Sequence, residues 1–242
     1  MKLFIHGVPD TGYMWRPLVQ ALNLPADDYM APTMPGFDGT MPAGFAATKD
    51  AYLEWVLRML ETTAVAHGPV DLVGHDWGAP LSAMAAHHRP GAIRTWAVVN
   101  AVPEPTYEWH KLARTWQTPV LGELFMALGS NRKFRQQLVA AGMPETVADH
   151  EAPLIDTTMK RAVLKLYRSA KNPAAYTQDF SNIAERGLVL WGADDHFVPV
   201  KFARRFCERW NIPLAVEEGV GHWGICQRPD AFATHLKAHW AL

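Results

Sequence analysis

Val70-Asp71-Leu72-Val73-Gly74-His75-Asp76-Trp77-Gly78, followed by Leu81-Ser82-Ala83-Met84-Ala85-Ala86, is the stretch that decides the fold. Gly68 and Pro69 introduce it as turn residues, a strand-like run follows, and the alanine-rich segment is dense in helix formers. Two glycines bracket the turn, so strand and helix can approach without a Cβ clash. Such a turn is strained and projects its central residue, Asp76, above the sheet. A carboxylate there can attack carbon bearing a leaving group and leave a covalent ester, whereas a serine would suit acyl transfer. The competing reading is that Asp76 caps the helix beginning near Trp77, a role aspartate fills well.

A nucleophile of this kind needs a base to activate water and an acid to orient the base. The apolar run Leu188-Val189-Leu190-Trp191 leads into Gly192-Ala193-Asp194-Asp195-His196, placing carboxylates at the end of a buried strand. The short strand Leu214-Ala215-Val216 leads into Glu217-Glu218-Gly219-Val220-Gly221-His222-Trp223, which puts His222 on a glycine-rich loop. The chain holds 11 histidines, so His222 takes its meaning only from Asp76 and the Asp194-Asp195 pair.

Taken together, these segments resemble the aspartate-nucleophile branch of the α/β-hydrolase superfamily, which holds epoxide hydrolases, haloalkane dehalogenases and fluoroacetate dehalogenases. The order Asp76, Asp195, His222 is that family's order of nucleophile, acid and base. His6-Gly7-Val8-Pro9 after the first strand and Met34-Pro35-Gly36-Phe37 after the second also match. The resemblance covers nearly the whole chain. It implies Asp195 rather than Asp194 as the charge partner of His222, an oxyanion hole from the N–H groups of Val8 and Trp77, and neither metal nor cofactor.

The leaving group separates the chemistries. Epoxide hydrolases aim cap tyrosines at the epoxide oxygen, commonly including one followed by arginine, and Leu166-Tyr167-Arg168-Ser169 resembles that stretch. Tyr167 shares a helix face with Met159, Val163 and Leu164, which turns it inward. The second donor that the resemblance implies falls near Tyr107-Glu108-Trp109-His110, with His110 or Tyr107 as candidates. A dehalogenase would instead need N–H donors for a halide, from Trp77 with Trp109 or Trp116. Val8, where one dehalogenase group has asparagine, and Trp77 and Pro80, where fluoroacetate dehalogenases have arginine, favour the epoxide reading. A third reading from another class is a ligand receptor or scaffold on the same fold.

Composition suits a compact enzyme, and the resemblance implies a small apolar substrate, an epoxide or an alkyl halide. The 242 residues are 49% hydrophobic, with 23 basic and 24 acidic side chains and a net charge of −1. That balance excludes the basic stripe of a nucleic-acid binder, and no apolar run nears the roughly 20 residues of a membrane span. Met1-Lys2-Leu3-Phe4-Ile5 leads into His6 without a cleavage signature, so a cytoplasmic protein is expected. Cys207 and Cys226 lie outside any metal spacing and read as reduced packing residues.

Along the chain, a strand at Leu3-Phe4-Ile5, a helix over residues 14–22 and a strand near 28–31 precede a long helix over 48–64 capped by Thr48. Thr95-Trp96-Ala97-Val98-Val99 is the strand after the elbow helix. Strands alternating with helices predict an α/β fold: a mostly parallel sheet with helices on both faces. The rhythm breaks over residues 103–182, where helices such as 121–128, 132–140 and 157–170 predict an inserted helical cap on a core of 1–102 and 183–242. Relatives carry about two more strands before the H-G-x-P loop. A shortened N-terminal sheet would leave an edge for a second copy or for another element to cover.

Overall fold

A computed structural model describes residues 1–176 and 179–241. Its strands are β1 (Lys2–Ile5), β2 (Tyr29–Met30), β3 (Val70–His75), β4 (Ile93–Val99), β5 (Gly187–Gly192) and β6 (Leu214–Glu217). They form one sheet in the order β2-β1-β3-β4-β5-β6, and every pairing is parallel. Helices α1 (Arg16–Leu22), α2 (Lys49–His67) and α3 (Gly78–His88) connect the first four strands. Between β4 and β5 lie α4 (Lys111–Gln117), α5 (Leu121–Leu128), α6 (Asn131–Ala140), α7 (Glu145–Glu151) and α8 (Thr157–Ser169). Then come α9 (Lys201–Trp210) between β5 and β6, and α10 (Gly224–Gln227) and α11 (Pro229–Trp240) after β6.

This is the α/β-hydrolase fold that the sequence predicts. The step from β1 to β2 runs opposite to the steps from β3 to β4 and from β5 to β6. Right-handed crossovers therefore send α1 and α3 to opposite faces. α1 packs against α11, and α2 against α3. With both faces covered, β3 and β5 are buried along their whole length and read as continuous apolar runs, unlike the half-buried edges β2 and β6. Trp15, Trp96, Trp191 and Tyr52 fill the core around them. Both cysteines are free and buried. Among the described residues, no helix is long and apolar enough to cross a membrane.

Three boundaries differ from expectation for local reasons. The helix expected over 14–22 splits into a 3-10 turn, Gly12–Trp15, and α1, with Pro17 in the first turn of α1 where its missing N–H costs nothing. The strand expected over 28–31 shrinks to Tyr29–Met30, because Asp28 ends a 3-10 turn and Pro32 offers no donor to extend the ladder. α2 starts where predicted, with Thr48 Oγ1 accepting the Ala51 N–H, but continues to His67 and stops at Gly68, whose φ is 78°. The two-residue β2 leaves one sheet edge with little ladder to offer.

Candidate active site

Asp76 sits in the turn between β3 and α3 with φ at 49°, a left-handed conformation that is costly for a non-glycine residue. The turn is held by its surroundings. A Cβ on Gly74 would lie 2.2 Å from the Gly78 carbonyl oxygen, and one on Gly78 would lie 2.1 Å from that of Ile5. The Asp76 N–H donates to Val99 O at 3.1 Å. Trp77 is the N-cap residue of α3, which begins at Gly78 with no side-chain cap hydrogen bond, so Asp76 is the apex of the turn and not a side-chain cap.

His222 bridges two carboxylates. Its Nδ1 donates to Asp195 Oδ2 at 2.8 Å, and its Nε2 lies 3.2 Å from Asp76 Oδ2. Asp195 accepts three further donors: Asn100 Nδ2 on the same oxygen at 2.8 Å, and the Phe197 and Val198 N–H groups on Oδ1 at 2.8 and 2.9 Å. Asp194 next to it is exposed. The Val8 N–H donates to Asp76 Oδ1 at 2.8 Å, whereas the Trp77 N–H makes no hydrogen bond to that carboxylate. Of Val8 and Trp77, the two N–H groups expected to form an oxyanion hole, Val8 already bonds the resting carboxylate.

The charges follow from this geometry. Burial alone would push the His222 imidazole down, but the Asp195 carboxylate beside it and the Asp76 carboxylate beyond override that and raise it to about 10. Burial likewise pushes Asp76 and Asp195 up, yet hydrogen bonding to His222 and its charge hold both below the ordinary carboxylate range. The resting site is an imidazolium between two carboxylates. His6 is different: its Nδ1 donates to Gly7 O, its Nε2 accepts the Met34 N–H at 2.8 Å, and burial lowers it to about 4. It ties the loop after β1 to the loop carrying Met34 and Gly36.

An alpha/beta hydrolase family profile matches residues 3–235. The chain belongs to the alpha/beta hydrolase family. Over 196 residues this hydrolase is 24% identical to an (E)-2-((N-methylformamido)methylene)succinate hydrolase of Acinetobacter baylyi, covering 80% of this chain and 72% of that protein. It is 38% identical to an epoxide hydrolase of Caballeronia sordidicola over 100 residues, which are 38% of this chain and 28% of that protein. Among solved structures, a loop variant of the haloalkane dehalogenase DbeA from Bradyrhizobium elkanii superposes with a TM-score of 0.75 at 19% identity. That match covers 99% of this chain and 90% of that one, and it speaks for the fold alone.

Two cavities meet at Asp76 in the hydrolase. The larger, of about 730 Å³, lies between Asp76 and His222 on one side and side chains of α4, α5, α6 and α8 on the other, among them Trp116, Met126, Phe134 and Val163. The smaller, of about 450 Å³, runs past Trp77 and Tyr107. Asp76, His110 and Tyr167 line both. Tyr167 is 3% exposed, and its ring is packed edge-on by Trp77 at 5.4 Å and Trp116 at 4.9 Å. His110 Nδ1 accepts the Ala113 N–H at 3.2 Å, and burial lowers the imidazole to about 4, so the ring is neutral and its proton sits on Nε2.

The remaining leaving-group candidates are engaged elsewhere. The Trp109 indole N–H is shared between the carbonyls of Ala170 and Lys171 at 3.1 Å each, which removes it as a halide donor. The Tyr107 hydroxyl donates to Phe197 O at 3.3 Å. Trp116 differs, because among the described residues its buried Nε1 finds no acceptor. Sequence reasoning missed Asn100, whose one signal was an asparagine, tolerant of the φ of 57° found there, directly after a buried strand. It also missed Asp10, which accepts the Trp223 indole N–H, and Glu151, which accepts from Thr11 Oγ1 at 3.0 Å.

Proposed function

We propose that this hydrolase opens an epoxide to a diol through an ester on Asp76, with residues 103–182 serving as a cap over the site. Asp76 Oδ2 attacks one epoxide carbon, and the electron pair of the breaking C–O bond moves to the epoxide oxygen. Tyr167 gives that oxygen a proton, and His110 Nε2–H hydrogen-bonds it. Ester formation removes the Asp76 charge that helped hold the His222 proton, so His222 releases it and becomes a base. Water then adds to the Asp76 carbonyl carbon, losing its proton to Nε2. The oxyanion on Oδ1 faces the Val8 N–H, and collapse frees the diol and restores the carboxylate. The tyrosinate regains the proton that His222 released after ester formation, and the departing diol oxygen takes the hydroxyl proton of the tetrahedral carbon, so the site returns to its starting state.

The observation that carries this reading is the placement of His110 and Tyr167: both share both cavities with Asp76, and His110 is held as a neutral donor. A second reading, haloalkane dehalogenation, rests on Trp116 Nε1, an orphaned N–H on a residue lining the same cavity.

The decisive measurement is intact-protein mass after acid quench of a His222→Gln variant mixed separately with a small aryl epoxide and a bromoalkane. Loss of the base traps the ester. A gain equal to the whole epoxide, mapping to Asp76, is expected. A gain of the alkyl group without its halogen would move the assignment to dehalogenase. No adduct from either, in a folded variant, overturns the covalent reading and leaves a receptor with little turnover. Tyr167→Phe should slow adduct formation from the epoxide at least about tenfold, the lower end of what a positioned acid contributes with a second donor left in place. The bromoalkane, which needs no proton, should be affected far less.

A further inference from the structure

The larger cavity is lined mostly by apolar side chains, with a few charged ones among them. Of the side chains that line it, Asp76, His222 and Lys160 carry full charges, and the His222 cation is matched by two carboxylates. Lys160 is not matched. Its Nζ donates to Gly129 O at 2.9 Å and stands 5.1 Å from the Phe134 ring centroid, and among the described residues no carboxylate lies within ion-pair distance of it. One of three donor hydrogens is used by a neutral carbonyl, which leaves two for a ligand.

Position makes that charge useful. Lys160, Val163 and Tyr167 lie three and seven residues apart on α8, so they form one stripe facing the cavity. Seven residues of helix put Lys160 roughly 10 Å along the axis from Tyr167. Lys160 is half-buried and Gln137, also on the lining, is exposed, which marks this end as the mouth. Val163 stands between Lys160 and Tyr167 on that stripe, and Phe134, Leu138 and Ile155 line the same cavity. A neutral apolar ligand would partly desolvate the ammonium with no compensation, whereas a ligand ending in an anion would complete it.

Building on the epoxide reading, we infer that Lys160 is an anion-binding residue at the cavity mouth and that the substrate is amphipathic: an apolar chain carrying the epoxide toward Asp76 and a carboxylate toward Lys160. The chain spans the apolar wall, and the ammonium donates a charge-assisted hydrogen bond to the carboxylate without giving up the Gly129 carbonyl.

The test separates binding from turnover. Decanoate and decan-1-ol are titrated against tryptophan fluorescence, since Trp116 and Trp223 line the cavity. The ratio of their Kd values is compared in wild type, Lys160→Met, Lys160→Gln and Lys160→Arg. The preference for the acid should fall at least about tenfold in the Met and Gln variants and hold within about threefold in the Arg variant, as expected for one hydrogen bond to a charged group. An unchanged ratio in the Met and Gln variants overturns the inference, and so does equal loss in all three variants. In turnover, the ratio of kcat/KM for an ω-epoxydecanoate to that for its methyl ester should fall by a similar factor. If neither epoxide reacts while the binding ratio moves, the epoxide reading fails and the anion site stands. If the ester reacts and neither ratio moves, the anion site fails alone.

Discussion

Two sets of carboxylates near His222 and Trp223 are about equally buried, yet their proton affinities move in opposite directions. Asp195 is 4% exposed and carries its charge beside His222. Asp10 and Glu151 are 0% exposed, and burial pushes both up, to about 7 and about 8, with the Asp76 charge adding to Asp10 and the Asp10 charge adding to Glu151. The difference is not depth but company. Asp195 collects a cation and three directed N–H donors, whereas Asp10 has the Trp223 indole and a neutral imidazole. That imidazole is His75, which burial lowers to about 4. Its Nε2 hydrogen donates to His222 O at 2.8 Å, and its bare Nδ1 stands 3.8 Å from Asp10 Oδ2. Burial alone lifts a carboxylate; a cation with donors in line is what reverses it.

The comparison breaks hardest at Asp195→Asn. The amide oxygen would turn to the two backbone N–H groups, leaving its NH2 against both His222 Nδ1 and Asn100 Nδ2. His222 can relieve that clash by moving its proton to Nε2, the nitrogen that must accept the proton of water. Ester hydrolysis should then fall about 10³- to 10⁴-fold, in line with a triad acid replaced by its amide in serine proteases. Ester formation, which needs Asp76 and the donors on the leaving oxygen, should lose far less. Single-turnover quench resolves the two phases. Equal slowing of both would make Asp195 a scaffold for the whole site and not the partner of the base.

Much of this was legible in the chain because backbone constraints leave marks in sequence. The elbow reads from Gly74 and Gly78, which have no room for a Cβ, and β3 and β5 read from apolar runs that only a sheet covered on both faces requires. Asp195 and His222 read from their places at strand ends. What stayed hidden depends on which long-range neighbours close over a residue. Nothing near Asp10 or Glu151 in sequence announces that residues 141 positions apart will be buried as neighbours. The satisfied indole of Trp109 and the orphaned indole of Trp116 are likewise alike in sequence, and only the fold separates them.

The acid pair gives the smaller and more easily read effect. Glu151 sits at the end of α7, and Thr11 on the loop after β1 donates to it, so the pair ties the helices above the site to a loop bordering it. An unfolded glutamate titrates near 4.3. As pH rises from there toward about 8, the unfolded chain loses this proton while the folded protein keeps it. The stability that Glu151 contributes is therefore fully present below the unfolded value and is lost as pH climbs through the folded one. Glu151→Gln keeps an acceptor for Thr11 and removes the titration. Its Tm should match wild type within about 2 °C near pH 4 and exceed it by at least about 3 °C near pH 9, a shift of the size that roughly one kcal/mol gives a chain of this length. An equal offset at both pH values would mean that Glu151 is held there for its shape alone. The charge contrast between the two clusters would then reduce to the catalytic side.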